Sequence, residues 1–334
     1  MKSLTLIKIG ALGDVVRTSY LVNALKNKYN YIITWITEKS AEELLKYNPN
    51  IDRILYLDSD LPKETDILIC LEDKYEYVKL GNQIKSKRTI GSYIDDNNLI
   101  KYSDDSRDWF DMSLISKQGI SMANDLKKKN TKSFNQIFSK ILHVQISDIK
   151  PELFYNEKYY PQSSECEEKK IVLGLNLFAG NRWPSKELHM DDSKKLIESI
   201  LDYLDDNKID YILSLFCDNS SHEKAKNIVG DKRLNIINTN ADILDFSGHI
   251  RKCDLFVTTD SLGMHLAIAN KTRHIAFFNP TSAVEIDNYN HGVKVISESL
   301  DYCSYKPDAA YDNTLWKKIF DQWLIEVDKL VFKN

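Results

Sequence analysis

The feature that most constrains this chain is a rhythm that runs, stops and starts again. Short β-branched runs alternate with segments of helical period over the first 155 residues, and the alternation resumes near residue 171. "SLTLIKIG" reads as a strand, "DVVRTSYLVNALKNKY" as a helix and "YIITWIT" as a second strand, with further strands in "IDRILYLD" and "TDILICLE". In "SAEELLKYN", Ser40 followed by Glu43 has the spacing of a capping box. From about residue 95 the pattern turns more helical, and "NDLKKKNTKSFNQIFSKIL" reads as one helix. "YNEKYYPQSSECEEKK", residues 155–170, is polar, contains a proline and lacks any period, as a linker would. Beyond it, "KIVLGLNL", "IDYILSLFC", "LNIIN", "DLFVTTD" and "HIAFFN" read as strands separated by helices, and "NTLWKKIFDQWLIEVDKLVF" closes as an amphipathic helix. Such alternation predicts parallel sheets covered on both faces, in two α/β domains with a ligand cleft at the strand carboxyl ends.

Composition agrees with two ordinary domains. A length of 334 residues, 43% hydrophobic and 28% charged, describes a globular chain with ample core. A formal net charge of −4 gives no reason to expect nucleic-acid binding. The five cysteines, at 70, 166, 217, 253 and 303, contain no Cys-x-x-Cys pair and read as reduced thiols of a cytoplasmic protein. No leader pattern precedes Asp14 and Arg17, and nowhere do 18 apolar residues run together.

Two stretches carry chemistry. In "GALGDVVRTS", Gly10 and Gly13 permit close approach of a ligand to the backbone, and Asp14 falls where the next helix begins. Asp14 is read either as a helix cap or as a general base at the end of the first strand. The missing third glycine and the carboxylate both argue against a dinucleotide fingerprint. In "VTTDSLGMHLAIAN", a strand ends at Asp260 and a helix opens at Ser261, Leu262 and Gly263, offering N–H donors to an anion. His265, one turn in, is either a core histidine or a donor to the same ligand. "NLFAGNRWPSKELHM" adds Asn176, Arg182 and Lys186, two cations suited to a diphosphate, or else a solvated loop with incidental charges. Thr281 in "FNPTS" is a further donor. Trp109 and Asp111, in "RDWFDMSL", suit either a sugar or a core tryptophan beside a helix start. The lysines of "KKKNTK" suit acceptor phosphates, an anionic membrane surface or a solvated helix face. No metal-ligand motif and no Gly-x-Ser-x-Gly elbow is present.

Taken together, "KIGALGDVV", "WPSKEL", "DSLGMHLAIA" and "FNPTS" resemble, in order, the motifs of glycosyltransferase family 9, the ADP-heptose:lipopolysaccharide heptosyltransferases. Three features depart from the usual pattern: Lys186-Glu187-Leu188-His189 where Lys-Arg-Trp-Pro is common, Asn279 in place of glycine, and Leu262-Gly263 in place of Gly-Pro. The resemblance implies a GT-B fold, two Rossmann-like domains with parallel sheets facing a central cleft. Residues 1–155 would form the acceptor domain, 156–170 the linker and 171–311 the nucleotide-sugar domain, with a helix in 312–334 packing back on the first domain. It implies metal-independent, inverting transfer, most simply of heptose from ADP-heptose onto a lipopolysaccharide or lipooligosaccharide core. No cofactor is implied beyond the nucleotide-diphosphate sugar. Asp14 would be the base. Asn176, Arg182, Lys186, Asp260, Ser261, Leu262, Gly263, His265 and Thr281 would hold the donor, and Lys8, Gly10, Gly13, Arg17, Trp109 and Asp111 the acceptor. The implied setting is a cytoplasmic monomer or weak oligomer with peripheral contact to the inner membrane and no nucleic-acid partner. Two alternatives stand beside it: a related transferase using another nucleotide sugar for capsule or protein glycosylation, and a non-catalytic nucleotide-sugar-binding protein.

Overall fold

The structure, a computed structural model, describes residues 2–156, 170–179, 183–228, 233–240, 242–306 and 308–332. The chain divides into two units, one of residues 1–154 with 284–287 and one of residues 155–283 with 288–334. The assumed linker falls almost wholly outside the described residues.

The first unit is built on β1 (Ser3–Ile7), β2 (Ile32–Thr37), β3 (Arg53–Tyr56), β4 (Glu64–Cys70), β5 (Lys85–Ile94) and β6 (Ile100–Tyr102), in the order β3-β2-β1-β4-β5-β6. β1 is central, and its residues from Leu4 to Ile7 are buried, which accounts for an unbroken apolar run rather than an alternating one. The first five strands are parallel, whereas β6 runs antiparallel to β5. This edge departs from the all-parallel expectation because the turn around Asp95 and Asn98 is too short for a crossover.

The second unit contains β7 (Ile171–Asn176), β8 (Tyr211–Cys217), β9 (Leu234–Asn238), β10 (Leu255–Thr259), β11 (His274–Phe278) and β12 (Gly292–Ile296), all parallel. Its order, β12-β11-β10-β7-β8-β9, is that of the first sheet read from the other edge. Both follow the doubly wound pattern 3-2-1-4-5-6, so the winding reverses between β1 and β4 in one unit and between β7 and β10 in the other. Ligands in such sheets bind beyond the strand ends at that reversal.

Two sequence expectations need correction. Residues 124–142 form parts of two helices, Ile120–Lys129 and Phe134–Ile141, because Ser133 and Gln136 close a capping box that starts the second. Ser40 caps nothing: it lies in a 3₁₀ turn, Lys39–Ala41, with its hydroxyl turned to Glu38. The closing helix, Leu315–Val331, is part of the second unit's own core. Leu315, Ile319, Trp323 and Val327 recur every four residues on one stripe and bury themselves with Leu196, Ile200 and Leu204 of the Met190–Asp206 helix. Arg273 Nε, 2.6 Å from Glu326 Oε2, adds an ion pair to that seam.

Candidate active site

In the first unit the helix Leu12–Tyr29 starts just beyond β1, and Asp14 stands in its first turn. That position sets the carboxyl group beside the first-turn N–H groups and the positive end of the macrodipole. The Asp14 side chain is 39% exposed, open enough to meet a ligand, and its Oδ1 lies 2.7 Å from an Arg17 guanidinium nitrogen. Arg17 in turn lies over the rings of Phe134, at 4.5 Å, and Trp109, at 5.5 Å. Trp109 packs edge-on against Phe134. The structure thus gathers Asp14, Arg17 and Trp109. A Cβ on Gly10 would meet nothing within 4 Å, so open space lies above that backbone.

Two of the expected acceptor residues are engaged within the protein. Lys8 is buried, with its ammonium 3.1 Å from Glu72 Oε1. Asp111 accepts a 2.5 Å hydrogen bond from the Tyr102 hydroxyl and one from Gln118. Lys127–Lys129 form the last turn of their helix, where their charge complements the dipole.

The second unit places its groups at the reversal between β7 and β10. Lys186 ends a 3₁₀ turn, Pro184–Lys186, and its ammonium donates to Asp260 Oδ2 at 2.8 Å and to the Asp260 carbonyl at 3.1 Å. The turn itself is held by two side chains from strand ends. Thr259 Oγ1 donates to the Lys186 carbonyl and Asn279 Nδ2 to the Ser185 carbonyl. Asn176, the last residue of β7, donates to Thr258 Oγ1 at 3.0 Å and to Ser261 Oγ at 2.9 Å. Ser261 precedes the helix Leu262–Ala269, which begins at Leu262. Gly263 is required by this packing, because a Cβ there would sit 2.4 Å from Asn176 Nδ2.

Burial alone would raise the Asp260 carboxyl. The positive charge of Lys186 and the nearby His265 imidazole, aided by hydrogen bonds, outweigh it and hold the group down at about 2. Thr281 contributes from close by, and its buried hydroxyl has no hydrogen bond of full geometry. Asn176, Lys186, Asp260, Ser261, Leu262, Gly263, His265 and Thr281 are therefore neighbours or successive residues of one locus; Arg182 lies outside the described residues. Sequence reading did not foresee the roles of Thr259 and Asn279 in fixing the lysine turn, nor Glu72. The local signal for Glu72 is its place at the end of the apolar run that β4 begins, two residues beyond Cys70.

Two Rossmann-like α/β units of this doubly wound topology are the building plan of the GT-B fold. The sequence matches the profile of glycosyltransferase family 9 (heptosyltransferase) over residues 120–314, more than half of its length. The chain belongs to that family and is a glycosyltransferase, which implies a nucleotide-sugar donor and a glycan acceptor. Comparison with curated proteins gives no match. Among solved structures, a glycosyl transferase family 9 protein from Veillonella parvula is similar at 16% identity and a TM-score of 0.68, covering 98% of this chain and 96% of its own. The E. coli ADP-heptose LPS heptosyltransferase II shows 15% identity and a TM-score of 0.65, with 99% of each chain covered. E. coli heptosyltransferase WaaC with ADP shows 12% and 0.61, over 97% and 99%. Among the described residues no helix is long and apolar enough to cross a membrane.

Proposed function

We propose that the chain transfers heptose, with inversion, from ADP-heptose to the core sugar of a lipopolysaccharide or lipooligosaccharide. The observation that carries this reading is the Lys186–Asp260 pair at the start of the Leu262–Ala269 helix. An ammonium has three N–H donors, and Asp260 takes two. The third is the one a phosphate oxygen would take, beside the first-turn N–H groups of the helix. Asp14 takes the proton of the acceptor hydroxyl as that oxygen bonds to the anomeric carbon. The bond from that carbon to the diphosphate oxygen breaks, and its electron pair leaves with the diphosphate. Lys186 and the helix start stabilise that departing charge without calling on a metal ion. Arg17 and Trp109 flank the acceptor, and the open space at Gly10 admits it. The reaction belongs in the cytoplasm, with the protein a monomer or weak oligomer that meets the membrane only peripherally.

The test is calorimetric titration with ADP, UDP, GDP, CDP and dTDP in EDTA, followed by turnover of Asp14→Asn. ADP should bind selectively. The variant should keep that affinity while turnover falls about 10²–10⁴-fold, the scale of a lost general base. Preference for another nucleotide would replace the donor and keep the reaction class. Unchanged turnover would remove Asp14 from the mechanism, and binding without any turnover would favour a non-catalytic role.

A further inference from the structure

We infer that Glu72 is a positioning residue that fixes the exit of β1 and, through it, the place of Asp14. The two residues beyond β1 have all four of their backbone polar groups engaged, and three of the partners are side chains, two from β2 and one from just beyond β4. The Lys8 N–H donates to the Ile36 carbonyl, and the Lys8 carbonyl accepts from the Trp35 indole at 3.0 Å. The Ile9 carbonyl accepts from Thr37 Oγ1 at 3.2 Å, and the Ile9 N–H donates to Glu72 Oε1 at 2.6 Å.

Trp35 and Thr37 sit on β2, while Glu72 follows β4, so the exit is held from both sides. Glu72 is itself anchored, its carbonyl accepting from Ser92 Oγ at 2.6 Å. Only Gly10 and Ala11 separate Ile9 from the helix, whose first bond runs from the Val15 N–H to the Ala11 carbonyl. A displaced Ile9 therefore displaces the first turn that carries Asp14.

Stability alone gives little reason for this arrangement. A buried ion pair such as Lys8–Glu72 is commonly replaced by apolar residues of similar volume without loss. What an apolar pair cannot supply is an acceptor for the Ile9 N–H.

The inference rests on Asp14 being the base, and the test separates the two. Hydrogen exchange and ADP-heptose turnover, the latter with deacylated lipopolysaccharide core as acceptor, are compared for the full chain and for Glu72→Ala, Glu72→Gln and Asp14→Asn. Glu72→Ala should speed exchange of residues 9–15 by about tenfold or more, with residues 170–300 unchanged. Its kcat should fall about 10²-fold with donor KM and ADP affinity held, as expected of a misplaced group rather than lost binding. Glu72→Gln keeps an oxygen for the Ile9 N–H and should restore both exchange and kcat. Should Glu72→Ala not fold, Glu72→Asp, one methylene shorter, carries the same comparison. Unaltered exchange at 9–15, a matching loss of ADP affinity, or a Glu72→Gln variant as damaged as Glu72→Ala would overturn the inference. If Asp14→Asn keeps full turnover, the assignment of the base fails, while the exchange data still decide whether Glu72 sets the turn.

Discussion

Each unit carries a lysine–carboxylate pair beyond the two central strands of its sheet, yet the two pairs behave oppositely. Lys8 and Glu72 join the exits of β1 and β4; Lys186 and Asp260 lie beyond β7 and β10. Burial pushes the Glu72 carboxyl up, and Lys8 with the Ile9 N–H only partly offsets it. Around Asp260 the balance reverses, because Lys186, His265 and Thr281 together outweigh the cost of burial. The first carboxylate serves the backbone and tolerates a poor home for its charge. The second holds in place the cation that, in the function proposed above, meets the diphosphate. Equivalent positions in duplicated topology are thus a guide to where chemistry sits, and the surrounding donors decide which kind it is.

The sharpest way to break this comparison is to remove each cation. Lys186→Met strands a well-ionised, largely buried carboxylate and should cost about 3 kcal/mol in urea unfolding. Lys8→Met leaves a carboxyl already inclined to protonate and should cost only about 1–2 kcal/mol, the scale of a lost hydrogen bond. Equal losses would end the proposed asymmetry.

Acid unfolding sharpens it further. The folded Asp260 value, about 2, lies below the ordinary 3.8, so its stabilisation is present above about pH 4 and vanishes as pH falls toward 2. That window should contain about 2 kcal/mol, absent from Asp260→Asn. Glu72 has the opposite sign: its folded value is raised, so acidification toward the ordinary glutamate range relieves a penalty. Glu72→Gln should lose that gain. A common pH dependence for both variants would contradict the assignment of causes.

The smallest effects come from the glycines. Gly263→Ala drives a Cβ onto the Asn176 amide and should cost about 1–2 kcal/mol through its two hydrogen bonds. Gly10→Ala meets open space and should change thermal stability by no more than about 0.5 kcal/mol, while raising acceptor KM. A destabilised Gly10→Ala would mean that the glycine serves the turn and not a ligand.

Much of the architecture was legible because it is local. The period of "DVVRTSYLVNALKNKY" and the apolar runs of β1, β2 and β10 show in any short window, and each strand end then points to the adjoining residues. Asp14 in a first turn and Asp260 before a helix follow from that alone. β5, rich in Lys and Arg, and β12, short and half-buried, give no such pattern. The two helices within 120–141 read as one in the sequence because the four residues between them are as polar as the helices' outer faces. Glu72, Trp35 and Thr37 were hidden for a different reason. Side chains that bond to backbone across 27 to 63 residues leave no trace in spacing, and a Glu-Asp pair after a strand looks like solvated loop.

The closing helix makes the two units unequal in time as well as in chemistry. The strands of the first sheet are all present once residue 102 has been made, so their pairing can begin while synthesis continues. The second unit cannot complete its core until Leu315–Val331 emerges, since Ile319 and Trp323 are fully buried within it. Until then the apolar faces of the Met190–Asp206 helix and of β11 stand uncovered. A nascent chain therefore passes through a long interval in which the half that carries Lys186 and Asp260 is the half in need of protection from aggregation.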